Sequence, residues 1–256
     1  MPRVTARFYE ELNDFLPAPL RKQPVPVEIP PGSTTKSLVE DLGVPHTEVD
    51  LVLVNGESAD FSRRLEDGDE VSVYPVFESW DIGAVSRVRP VPLRVTRFLA
   101  DVHLGRLARE LRMMGLDTEW ASDLQDEQIV RQARRTARII LTRDRGLLKR
   151  RAVTHGYLVR SLEPREQLGE IISRFDLSRQ VRLFSRCMAC NGALARVPRL
   201  AVLDSVPAAV AETCAEFSRC TGCGRVFWRG THWEAMKKLA ADVLGRQPVV
   251  PYPLML

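Results

Sequence analysis

The sequence has no apolar run long enough to cross a membrane, and its first residues lack the basic and apolar regions of a signal peptide. We therefore expect a cytoplasmic protein with no membrane partner. Cysteine is scarce, with five residues in 256, and nothing in the sequence indicates an oxidising compartment. A disulfide framework is therefore a weaker explanation of the cysteine pattern than bound metal.

Acidic and basic residues are unevenly divided along the chain. Residues 1–80 hold 7 Lys+Arg and 15 Asp+Glu, a net charge of −8, whereas residues 81–256 hold 30 and 18, a net charge of +12. Only 5 of the 37 basic residues are Lys, so a coding preference for Arg is an alternative source of the basic total. That preference does not explain the asymmetry. The division indicates separate modules, and the basic part indicates a polyanionic partner.

Residues 1–80 have the element order of a β-grasp, ubiquitin-like domain. Strands are predicted at Val4–Tyr9, Val25–Ile29, Leu51–Val54 and Glu70–Val76, with a helix that Thr34 or Thr35 caps and Gly43 ends. Pro26 predicts that the second strand lies at a sheet edge, and Asn55-Gly56 predicts a hairpin turn. The segment resembles the small sulfur carriers of this fold at residues 52–56 and 65–69. It lacks their terminal Gly-Gly, so docking to a protein is the better interpretation.

Residues 81–94 contain Pro90 and Pro92 and predict a linker. Residues 95–179 then alternate strands with helices, which predicts a parallel sheet with helices on both faces. The predicted strands are Val95–Asp101, Thr118–Ala121, Arg138–Thr142 and Tyr157–Arg160, and the predicted helices are Leu104–Met114, Glu127–Thr136, Gly146–Arg151 and Arg165–Phe175.

The first helix of this module has an apolar stripe that runs from Leu104 to Met114 and ends at Gly115. Arg106, Arg109 and Arg112 lie off that stripe. We expect them to face solvent or to follow a nucleic-acid backbone.

Two predicted strands end in an aspartate. Asp101 follows Phe98-Leu99-Ala100, and Asp144 follows the apolar run Ile139–Leu141 and Thr142-Arg143. Because open α/β sheets bind ligands at the carboxyl ends of their strands, we expect a divalent-cation site there. The alternative is that each Asp only caps the helix that follows. The basic residues on either side of Asp144 favour the metal site, because they would hold phosphate beside it.

The third module, residues 180–235, holds two Cys-x-x-Cys pairs separated by 29 residues, Cys187 with Cys190 and Cys220 with Cys223. This spacing is typical of a structural zinc site with four thiolate ligands and no open position. The spacer is predicted to hold a helix that buries the fifth cysteine, Cys214. Residues 236–256 are predicted to form a C-terminal helix and a Pro-rich tail.

Taken in order, these motifs resemble the Mut-seven C-terminal RNase family, a PIN-like nuclease domain with a zinc ribbon, preceded by its ubiquitin-like domain. The resemblance rests on a set of short segments: Phe98–Asp101, Leu104–Ala108, Leu111-Arg112, Gly115, Leu141–Leu147, Ser185–Cys187, Cys190-Asn191, Cys220–Gly224, Trp228, Gly230 and His232. It implies an α/β fold in three parts: a β-grasp domain, a PIN-like parallel-sheet domain and a four-Cys zinc ribbon.

The resemblance also implies metal-dependent cleavage of RNA by carboxylates that bind Mg²⁺ or Mn²⁺. Asp101 and Asp144 match by position, and the next acidic position falls at Asp126 or Glu127. Asp126 has the alternative role of helix N-cap. No Asp or Glu occurs from Arg145 to Leu162, so Glu163 is the first candidate for a further ligand.

The nucleic-acid contacts are assigned to a second set of residues. Thr142 is expected to hold Asp144 or a metal-bound water, and Arg143 and Arg145 to contact phosphates. Arg106 and His232 are further candidates for RNA contacts. His232 has the alternative role of packing beside Trp233.

Three functions fit these motifs. The first is a ribonuclease that uses Mg²⁺ or Mn²⁺ and carries a structural Zn²⁺. The second is a non-catalytic RNA- or ribosome-binding zinc-ribbon protein. The third is a scaffold in which the acidic β-grasp domain docks a protein partner or covers the basic surface.

Overall fold

The computed structural model of the protein describes residues 1–75, 85–88 and 96–245. Most of the predicted linker, Val76 of the predicted last β-grasp strand, and the predicted Pro-rich tail from residue 246 lie outside the described residues. Contacts divide the chain into two compact units. The first comprises residues 1–95 and 130–158, and the second comprises residues 96–129 and 159–256. Within the described part of the chain, no helix is both long and apolar enough to span a bilayer.

The N-terminal part of the first unit is the predicted β-grasp. Its elements are β1 (Arg3–Phe8), β2 (Val25–Glu28), α1 (Thr35–Asp41), β3 (Val49–Val54), β4 (Glu57–Ala59) and β5 (Glu70–Pro75). The strand order is β2-β1-β5-β3-β4, with β1 and β5 parallel and the other pairs antiparallel. The alternating apolar side chains of β1, β3 and β5 are buried and form its core.

Local sequence signals explain several features of this domain. The Thr34 side chain and Ser37 form a reciprocal capping box at the start of α1. Asn55 and Gly56 both have positive φ, 53° and 83°, which suits the tight turn that joins β3 to β4. The strand that contains Pro26 lies at the sheet edge, as predicted.

The nuclease-like region contains two pairs of parallel strands, one pair in each unit. Its elements are β6 (Phe98–Ala100), α2 (Gly105–Met113), β7 (Thr118–Glu119), α3 (Asp126–Thr136), β8 (Ile139–Thr142), α4 (Arg145–Lys149), β9 (Gly156–Leu158) and α5 (Pro164–Arg174). Strand β6 pairs in parallel with β7 in the second unit, and β8 pairs in parallel with β9 in the first. All eight elements were predicted, with boundaries that differ by at most three residues.

The second unit also contains the cysteine-rich module. Its elements are β10 (Leu194–Val197), α6 (Ala208–Thr213), β11 (Phe217–Cys220), β12 (Val226–Trp228) and α7 (Thr231–Leu244), and the three strands form an antiparallel sheet in that order. The helix in the spacer ends at Thr213, and Phe217 already belongs to strand β11. The prediction that Cys214 is buried is wrong. This residue ends α6 and is partly exposed, with its thiol 3.7 Å from the Arg229 carbonyl oxygen.

Candidate active site and metal centre

Asp101 lies directly after the fully buried strand β6 and is itself only 6% exposed. Its backbone carbonyl oxygen accepts a hydrogen bond from the Leu104 amide, which starts a short 3₁₀ turn. Its side chain makes no capping hydrogen bond to that turn. The alternative in which Asp101 serves as a helix cap is therefore wrong, and its buried carboxylate is placed by the strand.

Asp144 lies in a tight turn between β8 and α4. The Thr142 hydroxyl accepts a hydrogen bond from the Asp144 amide at 2.9 Å, and Asp144 Oδ1 accepts one from the Gly146 amide at 2.7 Å. The first carboxylate oxygen therefore caps α4. Among the residues that the structure describes, Asp144 Oδ2 accepts no hydrogen bond, and the residue is exposed. One oxygen thus has a structural role while the other faces solvent.

The remaining acidic candidates lie at helix starts. Helix α3 begins at Asp126, so this residue lies in the first turn and the N-cap role proposed for it is wrong. Asp126 is half-buried, and Glu127 beside it is exposed. Glu163 is exposed and directly precedes α5.

The carboxylates do not form a ready cluster of ligands. Among residues 1–75, 85–88 and 96–245, the four cysteines are the only group of three or more candidate ligands whose donor atoms all lie within 4.8 Å of one another. The assignment of Asp101, Asp126, Glu127 and Asp144 to a catalytic metal therefore stays a prediction.

The residues predicted to bind nucleic acid are at the surface, except one. Arg143 is exposed and has no partner among the described residues, whereas exposed Arg106 forms an ion pair with Glu110 at 3.2 Å. His232 is exposed near the start of α7. Thr142 is fully buried, and its hydroxyl holds the Asp144 turn from the inside by accepting a hydrogen bond from the Asp144 amide.

The four predicted zinc ligands come together in the second unit. Cys187 and Cys190 precede β10, Cys220 is the last residue of β11, and Cys223 follows that strand. Their sulfur atoms are 3.7 Å apart between Cys187 and Cys223, and 3.3 Å apart between Cys190 and Cys220. A tetrahedral zinc ion with bonds of about 2.3 Å requires sulfur atoms about 3.8 Å apart, so the donor set fits zinc.

The surroundings act differently on two of these thiols. Burial raises the pKa of Cys187 to about 12. Burial also acts against ionisation of Cys220, but the backbone N–H groups of Cys223 and Gly222 point at its sulfur. Together with the neighbouring thiols they lower its pKa to about 7. Cys220 therefore ionises more readily than Cys187, and zinc must displace the proton of Cys187.

Arg112 is the residue whose role the sequence pattern missed. It is 3% exposed instead of facing solvent, and burial lowers the pKa of its guanidinium. Its Nε donates to the Thr118 carbonyl oxygen at 2.7 Å, and its Nη1 donates to the carbonyl oxygens of Met188 and Ala189. Met188 and Ala189 lie between the first two zinc ligands. Arg112 therefore fastens the zinc knuckle to α2 and β7.

A second polar contact reinforces this connection. Asn191 accepts a hydrogen bond from the Thr118 amide and donates one to Asp117, which also pairs with Arg186 at 3.4 Å. Gly115 has φ of 86°, and an added Cβ there would lie 2.1 Å from the Arg182 carbonyl oxygen. The chain before the zinc ligands thus crosses directly over the end of α2.

We expect replacement of Arg112 by Met to destabilise the zinc-loaded protein by about 3 kcal/mol. Met keeps much of the apolar stem but leaves the buried carbonyl oxygen of Thr118, and the partly buried ones of Met188 and Ala189, without their charged donor. The measurement is chemical denaturation with Arg109→Met as the control, since Arg109 is an exposed Arg on the same helix. Equal midpoints for the two variants would contradict the role given to Arg112.

The cysteine-rich module also contains a cavity with an empty volume of about 790 Å³, part of which opens to solvent. It lies between the three-stranded sheet and α7, and Phe227, Trp228 and Arg196 are among its lining residues. Trp233 of α7 stacks on Phe184, with ring centroids 3.9 Å apart. The lining is mainly apolar and aromatic, and it includes three arginines, Arg186, Arg196 and Arg229.

The chain combines a β-grasp domain, an α/β region with paired parallel strands, and a four-cysteine centre that fits zinc. The model of the Mut7-C RNAse domain matches residues 96–240, and the model of the Mut7-C ubiquitin domain matches residues 1–81. Since the first match alone covers more than half of the 256 residues, the chain belongs to the Mut7-C RNAse family.

Two known proteins place this membership in context. The human exonuclease mut-7 homolog is 34% identical over 107 residues, which are 40% of this chain and 12% of the human protein. The small archaeal modifier protein 1 of H. volcanii is 20% identical and aligns with a TM-score of 0.25 over 30% of this chain and all of its own. The β-grasp assignment rests on the strand order and on the ubiquitin-domain match, not on that alignment.

Proposed function

We propose that the protein is a metal-dependent ribonuclease. Membership of the Mut7-C RNAse family is the observation that carries the proposal, because it assigns the region 96–240 to a nuclease family. The placement of Asp101 and Asp144 supports it. Each follows a buried strand, one carboxylate is buried without serving as a helix cap, and the other has a free oxygen.

In this proposal the carboxylates hold Mg²⁺ or Mn²⁺, a hard cation that prefers oxygen ligands. Asp101 and Asp144 are the main ligands, with either Asp126 or Glu127 as a third. When bound, the metal supplies Lewis-acid activation of water and of the phosphodiester. The Thr142 hydroxyl fixes the backbone that carries Asp144, and the exposed guanidinium of Arg143 binds a phosphate of the RNA.

The cavity in the zinc module supports RNA as the partner. Aromatic rings bind unpaired bases by stacking, and arginines at the border of such a site pair with the phosphates that stay outside. Residues 181–245 contain nine Lys or Arg and five Asp or Glu, so the module has the charge that a polyanion requires. We assign this cavity to a nucleobase of single-stranded RNA.

We expect Trp228→Leu to weaken binding of a short single-stranded RNA by about tenfold, the effect of losing one stacked base. Leu keeps an apolar side chain in β12 but offers no aromatic face. The measurement is fluorescence anisotropy with labelled RNA, and bound zinc is assayed to show that the module is folded. Unchanged affinity in a zinc-loaded variant would exclude the cavity from RNA binding.

A second candidate is a non-catalytic RNA- or ribosome-binding protein. The gap in acidic residues from Arg145 to Leu162 favours it, because the first carboxylate beyond the gap, Glu163, is exposed next to α5. A cytoplasmic location and a protein partner for the β-grasp domain stay predictions under either function.

The two candidates differ in a cleavage assay. The full zinc-loaded chain is incubated in Mn²⁺ with end-labelled single-stranded RNA and with DNA of the same sequence. The ribonuclease predicts products from RNA alone. Binding of the RNA without any product would select the second candidate.

A further inference from the structure

The β-grasp domain packs against residues 145–158, which belong to the same compact unit. The 3₁₀ turn His46–Glu48, between α1 and β3, lies against α4 and β9. Glu48 is 1% exposed, and its Oε1 accepts a hydrogen bond from the buried amide of Leu158 at 2.7 Å. A buried carboxylate that satisfies a strand amide of the nuclease-like region indicates specific docking and not a loose tether.

Both ends of α4 contact the β-grasp domain. At its start, the Arg145 guanidinium lies 5.3 Å from the centre of the Phe15 ring, which is buried. At its end, Lys149 Nζ donates to the Glu40 carbonyl oxygen at 2.7 Å. Helix α4 has five residues, too few to be stable alone, so packing determines where it lies. Asp144 caps this helix, so the contacts that hold α4 also hold the Asp144 turn.

His46 is the centre of this contact. Its Nδ1 lies 2.7 Å from Glu40 Oε1, and its Nε2 lies 2.8 Å from the Val153 carbonyl oxygen. Both partners are oxygen atoms, and they belong to segments far apart in the chain. His46 is 6% exposed, so water cannot readily replace either partner. One imidazole therefore joins α1 to the segment between α4 and β9.

The charged groups nearby are few. Glu40 is the anionic partner from α1, and Lys36 of the same helix lies 3.9 Å from the same carboxylate oxygen. Further titratable groups of the elements that pack here include Lys149 of α4, Glu48 of the turn itself and His155 before β9. The Phe61 ring covers the imidazole edge-on at 5.6 Å.

We propose that the β-grasp domain is a built-in positioning module for the Asp144 turn, and that His46 is the positioning residue that latches it in place. The importance of the turn rests on the proposed ribonuclease function, whereas the latch does not. The two ring nitrogens of His46 join Glu40 of α1 to the Val153 carbonyl oxygen, between α4 and β9.

The test is hydrogen exchange of the full zinc-loaded chain and of its variants at one pH. We expect residues 145–158 to open about tenfold more often in His46→Gln than in the unmodified chain, the effect of losing one hydrogen bond to a charged group. Glu40→Gln should raise the opening from the other side of the contact, without altering His46.

Two controls match these variants. His155→Gln removes a neighbouring imidazole whose Nδ1 lies 3.1 Å from the adjacent Thr154 hydroxyl, and Asp41→Asn removes an exposed carboxylate next to Glu40. Both controls should open residues 145–158 no more often than the unmodified chain does. Unchanged exchange in His46→Gln and Glu40→Gln would overturn the latch, and so would an equal rise in both controls.

Activity provides the second readout. If the protein cleaves RNA, His46→Gln should lower kcat with little change in KM, because the latch positions the turn without touching RNA. Exchange as expected but no cleavage would refute the ribonuclease and leave the latch in place. Cleavage without the expected change in exchange would refute the latch alone.

Discussion

Asp144→Asn should leave the protein folded and lower metal-dependent RNA cleavage by more than about 100-fold. Replacing a residue that only hydrogen-bonds to a metal ligand lowers activity by up to about 100-fold, and loss of a ligand itself should cost more. Asn is as good an N-cap as Asp, so the hydrogen bond from the Gly146 amide is retained. What is lost is the negative charge that holds the cation. This substitution therefore separates the capping role of Asp144 from its proposed role as a ligand.

The measurement is the initial rate of RNA cleavage in Mn²⁺, with thermal unfolding as the test of folding. Asp204→Asn is the matched control, because Asp204 is an exposed carboxylate in the cysteine-rich module. Asp101→Asn should behave like Asp144→Asn. Full activity in a cleanly purified Asp144→Asn protein would exclude Asp144 from catalysis.

Cys187→Ser should unfold the cysteine-rich module, the largest effect on stability that we expect. Cys187 is fully buried, and loss of one thiolate leaves an incomplete zinc site. Because Arg112 binds the carbonyl oxygens of the loop that follows Cys187, the damage should spread to the end of α2.

Elemental analysis and thermal unfolding measure this effect together. The unmodified chain should hold about one zinc ion, the stoichiometry of a four-thiolate site. Cys214→Ser is the matched control, because Cys214 lies outside the cluster and should be dispensable for zinc. A folded protein without zinc, or an unchanged melting temperature in Cys187→Ser, would contradict the assignment.

The features that the sequence predicted well are those with local causes. The Asn55-Gly56 turn requires positive φ at both residues, and the Thr34 cap needs only the residues three positions on. The zinc ligands are likewise predictable from spacing, because two Cys-x-x-Cys pairs each form one half of a tetrahedral site. Strand boundaries moved by a few residues because pairing, and not the apolar run alone, decides where a strand ends.

The features that it did not predict depend on partners distant in the chain. Arg112 lies off the apolar stripe of α2, which normally indicates solvent, but it meets carbonyl oxygens 76 and 77 positions later. His46 meets Val153, 107 positions later. No periodicity within a helix or turn reports such contacts. Cys214 was misplaced because the predicted spacer helix is interrupted before β11.

The carboxylates illustrate an intermediate case. The sequence located Asp101 and Asp144 at strand ends but left open whether each was a helix cap. The structure decides this separately for each residue, since Asp101 does not cap the following turn and Asp144 caps α4 with one oxygen. Their role as metal ligands depends on chemistry that strand placement alone does not establish.

The central claim is that carboxylate-bound Mg²⁺ or Mn²⁺ enables this chain to cleave RNA. The most direct measurement is the rate of RNA cleavage by the zinc-loaded chain as Mn²⁺ is titrated from zero, in parallel with the Asp101→Asn, Asp144→Asn double variant. We predict no cleavage without Mn²⁺, a saturable rise with it, and no rise in the double variant. Equal cleavage by both proteins, or no cleavage by the unmodified chain at saturating Mn²⁺ or Mg²⁺, would contradict the claim.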